Sequence, residues 1–243
     1  DYDRALNSML RIKDKNSTYT LHAKYYTGYC YYAQKDYQRA LIEFLNLEKL
    51  GGYNQVAPYY VVQIYYAQGE YKKVYERAEK LLKQYPDNQY NDEMHRMLGE
   101  MYYQDSLYTD AVRHLEAYRT LRQAAKKEIL RSDMYLLGLS HYMTRNYQEA
   151  VNSLKTITLA EDTISENTCL HLGHSYLRLQ DIENAKLSYA AAIRYNINPQ
   201  LREEAMYNYV QVTYLQNSAL GESITAFQDF IREYPNSKYI NKV

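Results

Sequence analysis

Tryptophan is absent from this chain of 243 residues, and phenylalanine occurs only three times, proline four and glycine eight. So few backbone breakers argue for long helical stretches and an all-α chain. The two cysteines, Cys30 and Cys169, lie far apart, which argues against a disulfide framework and leaves the compartment unread. Lys plus Arg is 29 and Asp plus Glu is 29, so there is no net charge. A nucleic-acid binder needs a basic excess or stripe to neutralise phosphates, and neither is visible. The longest basic cluster, Arg122 to Lys127, is interrupted by Gln123, Ala124 and Ala125 and reads as the solvated end of a helix. No apolar run approaches the ~18 residues of a membrane span, and no signal peptide is visible.

What the chain has in abundance is tyrosine, 32 residues. Tyrosine is only a moderate helix former, so its excess needs a reason in packing or binding. A second positive signal is internal repetition. A glycine, an aromatic-type residue three later, an alanine nine beyond and a large residue four further on recur at fixed spacing. The instances are Gly28, Tyr31, Ala40, Phe44; Gly99, Tyr102, Ala111, Leu115; Gly138, His141, Ala150, Leu154; and Gly173, Tyr176, Ala185, Tyr189. Two copies are degenerate: Val62, Tyr65, Val74, Ala78, closing with Pro86, and Gln211, Tyr214, Ser223, Phe227, closing with Pro235. A tyrosine stands three residues before the small residue at Tyr37, Tyr71, Tyr108 and Tyr147.

The spacing has a physical cause. At ~100° per residue, the glycine and the residue three later share one helix face. Small side chains on that face let two helix axes approach, and a large residue of the partner helix fills the space beside them.

This pattern, with segments KDYQRALIEF, GEYKKVYERA and RNYQEAVNSL, resembles the tetratricopeptide repeat over essentially the whole chain. The tryptophan position of the family pattern is instead Lys24, Pro58, His95, Met134, Cys169 or Tyr207. The resemblance implies an all-α, right-handed α-α superhelix, a solenoid of antiparallel helix pairs. The expected organisation is one array. Residues 1–15 form the second helix of a truncated repeat. Repeats follow at 21–52, 55–88, 92–125, 131–162, 166–199 and 202–237, and residues 238–243 open a further helix. The ends read as cuts, so the chain is expected to be a piece of a longer repeat protein.

In arrays of this type the first helices line a concave side. Counting from the glycine, positions minus three, plus one, plus four and plus five turn away from the core face. They select Tyr25, Tyr29, Tyr32; Tyr59, Gln63, Tyr66; Arg96, Glu100, Tyr103; Tyr135, Leu139, Tyr142; and Leu170, His174, Leu177, Arg178. The candidate ligand groove is Tyr25, Tyr29, Tyr32, Tyr59, Gln63, Tyr66, Arg96, Tyr103, Tyr135 and Tyr142. Two readings stand open. Tyrosine simply replaces Phe and Trp in packing, or the rings form an aromatic groove for an extended or helical peptide. The basic, asparagine-lined clamp that some relatives use for C-terminal carboxylates has no counterpart in the first repeats.

Candidate chemistry is sparse. His171 and His174 share one helix near Cys169, but Cys169 falls near a core-facing position and no second ligand pair lies nearby. His141 stands where the pattern has tyrosine and reads as a packed core histidine; His22, His95 and His114 read as isolated. Cys30 reads as a small buried group without a base to activate it. Gly51-Gly52 lacks the residues of a phosphate loop and reads as a helix terminus, and Glu161-Asp162 as a loop and helix cap. No catalytic residue, metal or cofactor is expected. The expected role is a protein-interaction scaffold that binds a protein or peptide partner, without nucleic acid or membrane insertion. The alternative is a non-catalytic, substrate-presenting arm of a larger machine, with self-association through open end helices as a third. The stretch SITAFQDFIREYPNS is similar to repeats of bacterial envelope proteins, which points to the periplasm or envelope ahead of the cytoplasm.

Overall fold

The computed structural model describes residues 2–51, 53–157, 159–216 and 220–242. Among these it holds thirteen α-helices, one 3-10 turn and no strand. The helices are α1 (Tyr2–Leu10), α2 (Thr20–Ala33), α3 (Tyr37–Lys49), α4 (Val56–Ala67), α5 (Tyr71–Gln84), α6 (Asn91–Gln104) and α7 (Tyr108–Ala124). They continue as α8 (Arg131–Met143), α9 (Tyr147–Leu154), α10 (Thr163–Arg178), α11 (Ile182–Tyr195), α12 (Pro199–Leu215) and α13 (Leu220–Glu233), with the 3-10 turn at Ile240–Lys242. The all-α repeat fold expected from the sequence is the fold observed. The chain divides into two compact units: residues 1–101 with 117–125, and residues 102–116 with 126–243.

Within the first unit α2 packs on α1, α3 on α2, α4 on α3 and α5 on α4. In the second unit α8 to α13 do the same, and α10 also touches α8 and α12, so first helices of neighbouring hairpins adjoin. The seam inside each hairpin is the one the spacing dictates. A Cβ added to Gly28 would meet the Phe44 ring at 3.1 Å, one at Gly138 the Leu154 side chain at 2.5 Å, and one at Gly173 the Tyr189 ring at 2.5 Å. The alanines of the motif, Ala40, Ala111, Ala150 and Ala185, are completely buried. Hydrogen in place of a methyl therefore sets the distance between helices, and Phe44, Leu154 and Tyr189 fill that distance almost without exposure.

The turn between the two helices of a hairpin is equally repetitive. In five hairpins the residue seven after the glycine-type position has a left-handed backbone: Lys35 (φ 62°), Gly69 (φ 73°), Ser106 (φ 60°), Arg145 (φ 63°) and Gln180 (φ 62°). The next N–H reaches back to the carbonyl of the motif aromatic: Asp36 to Tyr31, Glu70 to Tyr65, Leu107 to Tyr102, Asn146 to His141 and Asp181 to Tyr176, all at 2.8–2.9 Å. This closes the first helix with the left-handed cap common at helix ends. The second helix then opens on a side-chain cap where Asp36 accepts from Arg39 N–H and Asp181 from Asn184 N–H.

Polar staples about one repeat apart tie neighbouring hairpins. The fully buried Glu166 carboxylate accepts from the N–H groups of Ile197 (3.1 Å) and Asn198 (3.0 Å), which lead into α12. Arg131 donates to Asp162 (2.7 and 3.1 Å) and Ser165 (2.9 Å) at the start of α10. In the first unit Asn88 donates to the Gln55 carbonyl (3.2 Å), and Arg77 to Glu48 (2.8 Å).

The sequence reading needs correction at two points. Arg122 is not a solvated terminus: it lies over the Tyr118 ring and pairs with Asp92 at 3.4 Å and Glu93 at 3.8 Å, because α7 runs on to Ala124 beside the start of α6. His114 and His22 are not isolated either. His114 is buried and stacks on Tyr102 (5.3 Å), and His22 meets Tyr53 edge-on (5.9 Å). Gly51 does take a left-handed turn after α3 (φ 68°), while Gly52 lies outside the described residues.

The five turns make a paired prediction. A Cβ at Gly69 meets nothing within 4 Å, so Gly69→Ala costs only backbone strain. Urea unfolding followed by circular dichroism should show a loss of about 1 kcal/mol, whereas Arg145→Gly, at the equivalent position, should gain up to about 1 kcal/mol.

Candidate protein-interaction surface

The ten candidate groove residues come from α2, α4, α6 and α8, and all ten are half-buried. On the same helices the motif positions turn inward: Gly28 and Tyr31, Val62 and Tyr65, Gly138 and His141 are buried. A helix that buries one face and leaves an adjacent face of large rings half-covered is what the 100° rule requires.

In the first unit Tyr25, Tyr29, Tyr32, Tyr59, Gln63, Tyr66 and Arg96 fall within one set of adjoining first helices. Tyr25 stacks on Tyr53 (4.7 Å, 4°) and Tyr59 on Tyr90 (4.2 Å, 13°); each partner stands just before the next first helix. Tyr207 and Tyr239 repeat this stack in the second unit (4.3 Å, 13°). The ring that joins α2 to α4 is Tyr60, which the sequence reading missed. It stacks on Phe44 (4.7 Å) and meets Tyr25, Tyr29 and Tyr32 at 6.2, 5.9 and 5.2 Å. The signal was available: two residues before the glycine position lie Tyr60, Met97, Leu136 and His171, a helix face turned toward the neighbouring hairpin.

The tyrosine four after the glycine position closes on the tyrosine that opens its own second helix. The pairs are Tyr32–Tyr37 (5.9 Å), Tyr66–Tyr71 (6.2 Å), Tyr103–Tyr108 (5.5 Å) and Tyr142–Tyr147 (5.6 Å). Part of the tyrosine excess is therefore structural, and Tyr32, Tyr66, Tyr103 and Tyr142 remain half-buried.

Burial raises the pKa of Tyr25, Tyr32, Tyr59, Tyr66, Tyr103, Tyr135 and Tyr142; at Tyr29 the neighbouring Tyr2 hydroxyl is the leading cause. These hydroxyls stay protonated at neutral pH. Tyr66 donates to Glu100 (2.5 Å), Gln63 donates to the Tyr59 oxygen (3.1 Å), and Arg96 is held by Glu93 (2.9 Å) and Glu100 (3.5 Å).

In the second unit Tyr142 meets His171 (5.7 Å) and His174 (6.0 Å). It borders a cleft of about 420 Å³ shared with Leu177, Arg178, Glu204, Tyr207 and Asn208. His171 Nδ1 lies 2.9 Å from the Asn167 carbonyl, so that nitrogen carries the proton, and burial lowers its pKa. His174 is 2.9 Å from the Tyr189 hydroxyl and 3.3 Å from Glu204, whose pKa is lowered chiefly by that histidine. No group of three or more metal-ligating side chains occurs among the described residues. Among the same residues no helix is long and apolar enough to cross a membrane.

Helical hairpins packed in chain order, each closed by the same turn, define a repeat protein. The family model described as Tetratricopeptide repeat matches residues 1–54 and 170–238, about half the chain. The chain belongs to the tetratricopeptide repeat family, whose members are in general non-catalytic protein-interaction scaffolds. No curated protein matches it. Among solved structures, it is similar to the C-terminal part of a TPR repeat-containing protein from Cytophaga hutchinsonii (17% identity, TM-score 0.57, covering 98% of this chain and 92% of that one). It is also similar to a tetratricopeptide repeat protein from Parabacteroides merdae (15%, 0.52, 100% and 90%). PilW, a type IV pilus biogenesis factor, gives 13% identity, a TM-score of 0.50, and 93% and 99% coverage. At such identities these likenesses speak for the fold.

Both cysteines are buried, and burial pushes the Cys169 thiol up to about 11. Neither has the lowered pKa of a nucleophile. Iodoacetamide at pH 8 should leave Cys30 and Cys169 unlabelled in the native protein over hours and label both within minutes in denaturant. Fast native labelling would show an open, reactive thiol.

Proposed function

We propose that this chain is a non-catalytic scaffold that holds a peptide or protein segment along the tyrosine-rich faces of its first helices. The observation that carries the reading is the uniform half-burial of the ten candidate side chains beside fully buried motif positions. Such rings are held by their neighbours, so little entropy is lost when a partner covers them. Their protonated hydroxyls supply directional donors. A bacterial envelope setting belongs to the same proposal and rests on the similarity of SITAFQDFIREYPNS to repeats of bacterial envelope proteins. The competing role as a substrate-presenting arm uses the same face and differs only in what the scaffold is attached to.

Replacing Tyr29, Tyr59 and Tyr66 of the first unit together by Ala should abolish binding of a partner captured by the intact protein, with the helical circular dichroism spectrum retained. Interface aromatics typically contribute ~2 kcal/mol or more each, so the triple variant should lose at least about a thousandfold in affinity. Unchanged affinity in a folded variant would remove the face from consideration.

A further inference from the structure

Resting on that reading, we propose that the second-unit cleft bordered by α8, α10 and α12 takes an acidic side chain of the partner segment together with a large apolar side chain beside it. His174, Leu177 and Arg178 hold in α10 the positions that the candidate tyrosines hold in earlier first helices, so the cleft belongs to the same face.

The argument starts from charge. The lining of the cleft includes Arg178 and Glu204. The Glu204 carboxylate is already engaged: it lies 3.3 Å from His174 Nε2, and His174 meets the buried Tyr189 hydroxyl at 2.9 Å. Lys238 adds a second cation, over the ring of Tyr239 (4.9 Å to its centre), which also lines the cleft. Neither Arg178 nor Lys238 forms an ion pair among the described residues. Other cations of the same unit are spent: Arg131 on Asp162 (2.7 Å), Lys186 on Glu222 (2.6 Å) and Arg202 on Glu233 (3.2 Å). Two unpaired cations thus accompany one engaged carboxylate, a local positive excess in a chain without net charge.

The complement of that excess is an anion, and the planar guanidinium matches a carboxylate in particular. One negative charge neutralises the site. The second charge of a phosphate would face Glu204 with no cation left to balance it. The remainder of the lining selects what lies beside the carboxylate. Leu177, the Tyr142 ring and the stack of Tyr207 on Tyr239 (4.3 Å, 13°) offer contact to an aliphatic or aromatic side chain. At about 420 Å³, near the lower end of the range of ligand pockets, the cleft suits a pair of side chains rather than a whole segment.

The probes are two blocked dipeptides, N-acetyl-Glu-Leu-amide and N-acetyl-Gln-Leu-amide, with acetate as the bare anion. Each is titrated into the whole protein and followed by NMR through the ring C–H signals of its six histidines, of which His174 lines the cleft. The Glu dipeptide should shift the His174 signal saturably. The Gln dipeptide should bind at least about tenfold more weakly, as loss of a charge-assisted hydrogen bond implies. Arg178→Gln, at an exposed position, should erase that difference. The proposal is overturned if the Glu dipeptide gives no saturable shift, if the two dipeptides bind equally, or if their difference survives Arg178→Gln. Acetate binding as tightly as the Glu dipeptide also overturns it, since the cleft would then hold an anion without regard to the side chain beside it. The first-unit variant at Tyr29, Tyr59 and Tyr66 leaves this cleft untouched, so the broader reading and this one fail separately.

Discussion

A helix can lie against its neighbour only as closely as its bulkiest contacting side chain allows, and in this chain the bulk at the contact has been removed from one side. At Gly28, Gly138 and Gly173 the missing methyl is occupied by Phe44, Leu154 and Tyr189. With that approach fixed, the left-handed turn at Lys35, Arg145 or Gln180 falls where the second helix can begin at once. The aromatic three residues after the glycine is drawn into the same seam. Each hairpin is then a near-copy of the last, and its first helix exposes a predictable strip to one side. The candidate surface is a by-product of this geometry, since core packing dictates which positions remain half-covered.

Tyrosine serves two masters in this arrangement. The stacks of Tyr25 on Tyr53, Tyr59 on Tyr90 and Tyr207 on Tyr239 link a first helix to the entry of the following hairpin. Phenylalanine would fill those positions equally well as a ring, but its edge would meet water without a hydrogen bond. A half-buried ring with a protonated hydroxyl reconciles packing inward with hydration outward. It also leaves a surface whose donors are in place before any partner arrives. The polar staples act on the other side of the balance. Buried Glu166 satisfies two backbone N–H groups that would otherwise be stranded at the entry to α12, which makes the junction directional as well as tight.

The seam was legible because glycine, alanine and a large residue at fixed separation have one economical explanation. Four of the five left-handed turns were not. Only Gly69 carries the residue that advertises such a backbone; Lys35, Ser106, Arg145 and Gln180 are held there by the surrounding hydrogen bonds and not by preference. The inward-turned Arg122 was hidden because its partners Asp92 and Glu93 lie 30 and 29 residues earlier, at the start of the first helix of the same hairpin. Tyr60 escaped for a related reason. The 100° rule sorts a helix into core and outer faces, whereas Tyr60 sits on a third face, turned toward the neighbouring hairpin. The candidate tyrosines themselves were legible as positions, but their division between stacking and free hydroxyls depends on contacts that only the folded chain supplies.

The close approach at the seam is tested most directly by a two-residue cycle at Gly138 and Leu154, read by urea unfolding. In the natural background Gly138→Ala should destabilise by about 1–3 kcal/mol, because the new methyl overlaps Leu154. In a Leu154→Ala background the overlap is gone, and the same change should stabilise by up to about 1 kcal/mol, as alanine does elsewhere in helices. This reversal of sign is what the account predicts; a Gly138→Ala change that stabilises equally in both backgrounds would contradict it.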